Sequence, residues 1–330
     1  MTTLDTRQGV RAVVRPQADE VTGQFAAPAG EPHERVGWME RWVTLAFVVV
    51  PTVVVGFTIA SLWGVGVGWL HLALMLVIGL LTTVGVSVGY HRLFAHRAFK
   101  TTPAVRVALA IMGAMAAEGT VSRFVANHRR HHSHSDREGD PHSPHTHDSH
   151  GLWGTVRGFW HAHIGWFTAK DRKHPNEAKY APEFAQPSGV RTIDRTNGWW
   201  VAVGIFLPAV IAGLWDQSWL SAGLGLMWGG VVRIFLVHHI TWSVNSVCHL
   251  WGTRPFKSGD HARNNFIMGF IGMGEGWHNN HHAFPNSSRC GLRWWEFDGG
   301  WYVIWTLKRL GLAWDVRVPH KKRLASAANV

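Results

Sequence analysis

The sequence predicts an all-α integral membrane protein with four transmembrane helices and a cytosolic helical cap that holds a His-rich metal site. Three observations predict it: four apolar stretches, a one-sided distribution of Lys and Arg, and repeated clusters of histidines. The chain has 330 residues, of which 46% are hydrophobic and 20 are Trp, a residue that membrane proteins concentrate at the water interfaces. The formal charge of +11 would also suit a nucleic-acid-binding protein, so the positions of the basic residues must distinguish that class from a membrane protein.

The first part of the chain predicts a tail followed by a helical hairpin. Residues 1–40 are polar and contain no apolar run, so we expect a disordered cytosolic tail and no cleaved signal peptide. The stretch 42–63 would be about 33 Å long as a helix, which is enough to cross a bilayer. A Gly-rich turn at 64–68 leads to a second apolar stretch, 69–90, which ends at His91.

The region 91–198 is polar overall, and we expect it to form the first part of the cap. Its apolar run at 104–117 is short for a span and predicts a buried or interfacial helix. The segment 133–150 is rich in His, Ser, Asp and Pro, which predicts a loop. Because its histidines have no helical register beside a partner cluster, we do not expect functional ligands among His142, His145, His147 and His150.

Apolar sequence returns in two further stretches, at 199–215 and at 219–240, which predict the third and fourth spans. Arg233 in the fourth span would be costly in lipid, so we expect it to face the protein interior or to snorkel. Residues 241–320 would complete the membrane-bound domain, which runs over 41–320, and 321–330 would form a C-terminal tail.

The basic residues favour one orientation in the membrane. Five precede Trp42, 15 lie in 91–198 and 11 follow Ile240, whereas the turns at 64–68 and 216–218 have none. By the positive-inside rule both termini and every histidine cluster are then cytoplasmic. This asymmetry accounts for the charge without nucleic acid, so we expect no nucleic-acid partner.

The histidine clusters predict a metal site with more than one ion. The boxes 128–132 and 278–282 both read His-x-x-His-His, which puts three imidazoles on one face of a helix. His91 and His96 are five residues apart, about 140° on an ideal helix, so either the helix ends between them or they serve two ions. His249 shares a helix face with Asn245 and is a further candidate. The nine candidate ligands are His91, His96, His128, His131, His132, His249, His278, His281 and His282.

Nine neutral nitrogens are too many for one ion, so we expect two ions with open positions. Imidazole suits Fe, Zn, Cu and Ni, and the spacing alone does not choose among them. With only Cys248 and Cys290, the chain cannot form a four-thiolate zinc site, an iron–sulfur cluster or a disulfide framework.

Six motifs resemble those of the membrane-bound fatty acyl desaturases, specifically the stearoyl-CoA Δ9 type, over roughly residues 40–320. The four-residue gap between the histidines of the first cluster suits the Δ9 branch. Phe124 departs from the Trp that commonly precedes the second box, and Cys290 also departs from the family's usual residue. The motifs are VGYHRLFAH (88–96), NHRRHH (127–132), GDPH (139–142), NSVCHLWG (245–252), GEGWHNNHHAFP (274–285) and GLRWWEFD (291–298).

The resemblance implies a di-iron centre held by the nine histidines, with Asn245 reaching one iron through water. It also implies that O2 is a co-substrate and that the enzyme introduces a cis double bond into a long-chain acyl-CoA such as stearoyl- or palmitoyl-CoA. The chain has no iron–sulfur motif, no nucleotide-binding glycine motif and no cytochrome b5 signature. We therefore expect an external electron donor, either an NADPH-dependent reductase, a ferredoxin or a similar carrier.

The resemblance further implies a bent acyl tunnel that ends among the first membrane helices. Gly79 lies twelve residues before His91, about 18 Å along a helix, and Met75 lies one turn deeper, so both are candidates for the tunnel end. Alternatively, Gly79 only lets two helices approach closely.

Alternative functions are an acyl-lipid desaturase, a related di-iron hydroxylase and a divalent-metal transporter. A transporter should carry polar ligands at mid-bilayer, where only His71 and Arg233 interrupt the spans. His238 and His239, at the inner end of the fourth span, are candidates for supporting the ligands.

Overall fold

Four long apolar helical segments dominate the structure, a computed structural model that describes residues 36–61, 68–146, 151–169 and 174–328. Each has the length and composition to cross a bilayer, which confirms the predicted fold class. The predicted tail up to residue 35, most of the turn at 64–68, His147 and His150 lie outside the described residues. The four segments are Trp38–Thr58, Trp69–Ala95, Asn197–Asp216 and Trp219–Leu250.

The second and fourth spans extend beyond their predicted ends. The helix of the second passes through His91 to Ala95, and that of the fourth passes through Asn245 and His249 to Leu250. The apolar pattern in the sequence stops at the first polar residues. The helix continues through them, because its backbone hydrogen bonds do not depend on whether its side chains are apolar. His91, Asn245 and His249 therefore lie on the membrane helices themselves, near their ends.

The regular elements alternate between long spans and short cap helices. In chain order, they are α1 (Trp38–Ser61), α2 (Trp69–Val84), β1 (Lys100–Thr101), α3 (Pro103–Ala114), α4 (Val121–His134), α5 (Gly151–Trp160), α6 (Trp166–Thr168), α7 (Glu177–Tyr180), a 3₁₀ turn (Pro182–Ala185), α8 (Gly189–Arg195), α9 (Asn197–Asp216), α10 (Trp219–Gly225), α11 (Arg233–Leu250), α12 (Phe266–Ile271), α13 (His278–Ala283), α14 (Gly299–Arg309), β2 (Ala313–Trp314) and α15 (Lys321–Ala327).

Three stretches are wound as π-helix, with hydrogen bonds between residues five apart. They continue α2 over Gly85–Ala95, follow α5 over His161–Gly165 and join α10 to α11 over Leu226–Val232. In the first, the amide of His96 donates to the carbonyl of His91 at 3.0 Å. The wider turn puts residues five apart on one face, so the predicted 140° separation, which assumed a regular helix, does not apply.

The predicted helix at 104–117 is the buried α3. Thr102 caps it by accepting a hydrogen bond from the Val105 amide, and Pro103 occupies its first position. Its close approach to the π-helix requires glycine, because a Cβ on Gly113 would lie 2.2 Å from the Tyr90 ring. A Cβ on Gly85 would lie 2.2 Å from the Gly113 amide nitrogen. The pairing of β1 with β2 then ties the C-terminal region to the same core.

Candidate metal centre

Five imidazoles form the first of two groups at the ends of the spans. The π-helix and the residue after it supply His91 and His96, α4 supplies His128 and His132, and α13 supplies His281. The ring nitrogens of His96 and His128 are 2.7 Å apart. Those of His91 and His281 are 3.1 Å apart, and those of His132 and His281 are 3.0 Å apart.

Four imidazoles form the second group, in which His131 comes from α4, His249 from α11, and His278 and His282 from α13. Their ligand atoms lie within 4.8 Å of one another, and the Nε2 atoms of His249 and His278 are 3.1 Å apart. The structure thus brings the nine predicted ligands together in two adjacent groups.

The donor geometry fits metal ions rather than hydrogen bonds between rings. Two nitrogens that bind one metal at right angles, each about 2.1 Å away, are about 3 Å apart, as these nitrogens are. The Nε2 atoms of His131 and His282 are buried and have no hydrogen-bond partner among the described residues. Buried polar atoms rarely remain unsatisfied, so a ligand is expected at this point.

Four of the imidazoles have a carboxylate beside their Nδ1 atom. The Nδ1 atom of His91 is 2.6 Å from Glu275. The equivalent distances are 2.9 Å for His131 and Asp140, 2.9 Å for His249 and Asp136, and 2.5 Å for His282 and Asp260. A carboxylate at Nδ1 directs Nε2 toward a metal and increases its basicity.

The same contacts keep these carboxylates ionised. Burial alone would raise the pKa of Asp140, but the charge and hydrogen bond of His131 lower it to about 2. Burial likewise opposes ionisation of Glu275, yet His91 and Arg92 lower its pKa to about 2. His249 and His282 hold the pKa values of Asp136 and Asp260 well below their usual range in the same way.

Five of the imidazoles are kept neutral, as metal ligation requires. Burial lowers the pKa values of His96, His128 and His132, and the neighbouring imidazoles lower them further. His278 and His281 have lowered pKa values for the same two reasons. Burial would lower the pKa of His131 as well, but the charge and hydrogen bond of Asp140 outweigh it, so this pKa is instead raised. The five rings are therefore dry, neutral nitrogen donors.

Two buried arginines fix the helices that carry the ligands. Arg129 of α4 donates to the carbonyls of Phe94 and Ala95 at 2.8 and 2.9 Å, which joins α4 to the π-helix. Arg92 donates to Glu275 and pairs with Asp298 at 2.9 Å, which joins the π-helix to the segment before α13. Each arginine therefore holds two ligand-bearing elements in register.

Sequence reasoning missed these carboxylates and arginines as parts of the site. Asp140 and Glu275 lie in the GDPH and GEGW motifs that carried the resemblance, so their positions were a usable signal. Asp136 and Asp260 lie in polar segments far apart in the chain, and no spacing connects them with His249 and His282. Only the folded chain brings them together.

A cavity of about 320 Å³ opens against the two groups. His91, His128 and His278 form part of its wall, and most of its other lining is apolar. Its deepest contact on the second span is Thr83, eight residues or about 12 Å before His91. Neither Gly79 nor Met75 lines it; a Cβ on Gly79 would lie 3.4 Å from Cγ of Arg233.

The remaining predicted candidates have varied surroundings. Asn245 and His142 line the cavity, and the ring of His142 is 4.4 Å from that of His131. The Nε2 atom of His145 donates to the backbone oxygen of His249, 2.9 Å away. His238 donates to the carbonyl of Ala116, and His239 bonds His163. Neither of these last two hydrogen bonds involves a proposed ligand.

Comparison with known proteins gives the same family as the motifs. The pattern of the family described as fatty acid desaturase matches residues 67–316. A hex-5-enoyl-[acyl-carrier protein] acetylenase of Moorena producens (strain JHB) is 44% identical over 281 residues, covering 85% of this chain and 87% of the relative. An acyl-CoA C20 Delta5-desaturase of Anemone leveillei is 36% identical, covering 78% and 77%. An sn-1 stearoyl-lipid 9-desaturase of Anabaena variabilis is 34% identical, covering 73% and 81%.

Proposed function

Because the chain belongs to the fatty acid desaturase family, we propose that it uses two iron ions and O2 to place a cis double bond, at Δ9, in a long-chain acyl-CoA. The single observation that carries this proposal is the position of the two imidazole groups at the wall of a mainly apolar cavity. Such a cavity accepts a hydrocarbon chain and brings its methylene groups to the metals.

The chemistry needs a metal because the substrate is an unactivated alkyl chain. When bound, the two irons would supply the activation of O2 that no side chain can perform. The overall reaction removes two hydrogens from neighbouring carbons, consumes O2 and two electrons with two protons, and gives two waters. The first group, with His91, His96, His128, His132 and His281, would hold one iron, and the second group, with His131, His249, His278 and His282, would hold the other. Asn245 would reach the second through water.

The protein's own residues would position the chain and exclude water. Phe124 and His128 line the cavity and stack with ring centroids 6.0 Å apart, and Phe124 meets Tyr90 edge-on at 5.3 Å. These rings would form a dry wall against the alkyl chain. Glu275 and Asp140 would keep the imidazoles oriented during the reaction, since each accepts a hydrogen bond from a ligand's far nitrogen.

The transporter alternative loses support from the polar residues within the spans. Nε2 of His71 bonds the hydroxyl of Ser221 at 2.9 Å, and Arg233 donates to the carbonyls of Met115 and Gly204. Nε2 of His71 and the guanidinium of Arg233 are thus paired within the protein, whereas Nδ1 of His71 has no hydrogen-bond partner among the described residues. Among the described residues, every group of potential metal ligands lies in the cap or near the ends of the second and fourth spans, rather than at mid-span.

The acyl carrier is the finer part of the proposal. The names of three relatives specify three carriers, an acyl-carrier protein, CoA and a lipid. We favour CoA because the cap is rich in basic residues and CoA is anionic. From the same basic residues we further propose that both termini and the centre lie in the cytoplasm, with the four spans in the cell membrane.

Expression in a host that lacks desaturases, followed by mass spectrometry of its fatty acids, tests this function. We expect monounsaturated C16 and C18 chains with the double bond at carbon 9, and none with His282→Ala. A double bond at another carbon would retain the desaturase and correct its regiospecificity. A hydroxylated chain without a double bond would favour the hydroxylase alternative. No modified fatty acid from a folded, iron-containing protein would contradict the proposal.

A further inference from the structure

An exposed basic surface lies directly over the second group of imidazoles. It consists of the segment 254–263, which follows α11, and the start of α15 beside it. The bridge between Phe256 and Ala328 and the bond from the Lys257 amide to the Ala327 carbonyl, 2.9 Å, join the segment to the end of α15. At the start of α15, Arg323 lies over the ring of Phe284, which packs on Phe256 with ring centroids 5.2 Å apart. We call this the basic surface; its cationic residues are Arg254, Lys257, Arg263, Lys321, Lys322 and Arg323.

The carboxylate in segment 254–263, that of Asp260, already pairs with a histidine beneath the surface. Asp260 bonds Nδ1 of His282, and its side chain is only 6% exposed. Four of the cationic side chains are exposed, namely those of Lys257, Lys321, Lys322 and Arg323. The side chains of Arg254 and Arg263 are half-buried. The surface therefore presents net positive charge to the cytosol, with its acidic side chain turned toward a metal ligand.

Two short hydrogen-bonded routes connect this surface with the second group. On the first, Asp260 is in the exposed segment and bonds His282 at 2.5 Å. On the second, the amide of exposed His261 donates to Asp136 at 2.8 Å, and Asp136 bonds Nδ1 of His249 at 2.9 Å. A partner resting on the segment would thus be one or two hydrogen bonds from two proposed metal ligands.

The basic surface is also held rigidly on the third histidine box. Asn279, between His278 and His281, accepts from the Phe256 amide at 2.8 Å and donates to its carbonyl at 2.9 Å. The guanidinium of Arg323 lies over the ring of Phe284, 5.6 Å from its centre, just after the box. Docking at this surface would therefore not require the centre to rearrange.

We propose that the basic surface docks the electron donor, a small acidic protein that carries one electron at a time, so that electrons reach the second group through Asp260 and Asp136. This rests on the proposed function, which requires two electrons for each double bond. Two reduced carriers would each be oxidised by one electron, and the two electrons would enter the reduction of O2 to water. Opposite charges across such an interface speed encounter and select the partner.

Binding and turnover with a plant-type [2Fe–2S] ferredoxin, an acidic carrier, test the proposal. The variant carries Lys257→Glu and Lys322→Glu, and the matched control carries Lys308→Glu and Arg309→Glu, two basic residues at the end of α14. The full-length proteins are placed in nanodiscs with and without anionic lipid. Biolayer interferometry gives the Kd of the oxidised ferredoxin, and steady-state assays with NADPH and ferredoxin reductase give its KM.

We expect the basic-surface variant to raise Kd and KM for ferredoxin by about tenfold or more at low salt, and the control to change them less than about twofold. Salt should weaken binding by the wild type more than by the variant. Iron content and product from dithionite-reduced protein exposed once to O2 should be unchanged. Unchanged Kd and KM, or equal changes in the control, would overturn the proposal.

Three other outcomes separate this proposal from a membrane-binding role for the surface, from a different donor and from failure of the proposed function. If the variant loses activity only in nanodiscs with anionic lipid and binds ferredoxin normally, the surface serves the membrane and the proposal is wrong. If wild type forms product after dithionite reduction but neither binds nor uses ferredoxin, the acidic donor is contradicted while the proposed function stands. If iron-loaded wild type forms no product even with dithionite, the proposed function itself fails.

Discussion

At the residue scale, the metal centre depends on the groups that contact Nδ1 of its imidazoles. Four ligands have a carboxylate at Nδ1, and the ionised state of Asp140 and Glu275 is secured by pKa values of about 2. A neutral amide at such a position keeps the shape but removes the charge that makes the imidazole a stronger donor. Asp136, Asp140 and Asp260, which do not line the cavity, should therefore affect metal affinity without touching the substrate.

Asp260→Asn should lower iron affinity by about 10–100-fold, because the Nδ1 atom of His282 would lose its anionic partner. Competition with a chelator, with iron retained per chain as the readout, measures this. Asp315→Asn is the control, since Asp315 is exposed and pairs with Lys100, away from the imidazoles. Equal iron retention in Asp260→Asn and wild type would contradict the role assigned to the carboxylate.

Substitution of the imidazoles separates ligands from the neighbouring His-rich loop. His132→Ala, His249→Ala and His282→Ala should each abolish activity and reduce bound iron. His145→Ala should retain iron, because His145 bonds the backbone carbonyl of His249 rather than a ring nitrogen. Iron content and product yield of the purified variants measure this. Equal losses from His145→Ala and His282→Ala would remove the distinction.

Glu118 gives a prediction about pH, since burial raises its pKa to about 8 from an ordinary 4.5. The folded state thus favours the protonated acid, and its stability falls as pH rises from about 4.5 to about 8. Glu118→Gln should lose this dependence and gain stability relative to wild type above that range. Melting temperatures of both proteins in mildly acidic and in alkaline buffer measure the difference. Parallel pH profiles would show that Glu118 ionises normally.

At the element scale, the π-helix decides the geometry of the first group. Eight of the nine histidines were predictable from the spacing within their clusters, and His249 from its position four residues after Asn245. The convergence of His91 and His96 was not, because π-helical winding leaves no mark in the pattern of apolar residues. The winding depends on packing against α3, where Gly113 makes room for Tyr90. Spacing rules for regular helices therefore fail where tertiary contacts change the helix itself.

The second span also determines the depth of the cavity, and two positions distinguish two possible floors. Thr83 lines the cavity, whereas Gly79, one turn deeper, lies against the stem of Arg233. If the acyl chain of the substrate ends near Thr83, Thr83→Leu should shorten the cavity and favour C16 over C18 substrates. Gly79→Leu should then mainly lower the stability of the protein. If Gly79 forms the floor, Gly79→Leu should shift the preference instead. Product ratios from mixed C16 and C18 substrates, with melting temperatures, measure both.

At the scale of the whole molecule, the cavity proposed for the substrate and the surface proposed for the electron donor are separate, because no residue of the basic surface lines the cavity. The cavity lies among the spans and the cap helices, and the basic surface lies over the second group. Charge counts predicted a cytosolic cap but could not locate this surface, because Lys257 and Lys322 are 65 residues apart and their segments are joined by a long-range pairing, the bridge between Phe256 and Ala328. Long-range pairings of this kind have no local signal.

Electron supply gives the prediction at this scale. The purified protein with NADPH and O2 alone should give no product, because the sequence contains no motif for a group that accepts hydride. Addition of a reductase with a ferredoxin should restore turnover. Gas chromatography of the fatty acids measures both reactions. Robust desaturation by the isolated chain with NADPH would show that no external donor is needed.

The central claim is that the two imidazole groups hold two iron ions, and metal counting tests it most directly. Inductively coupled plasma mass spectrometry of protein purified from iron-supplemented cells should give two irons per chain. His96→Ala and His249→Ala, which each weaken a different group, should each reduce the count toward one. One iron per chain in wild type, or two zinc ions in place of iron, would contradict the account.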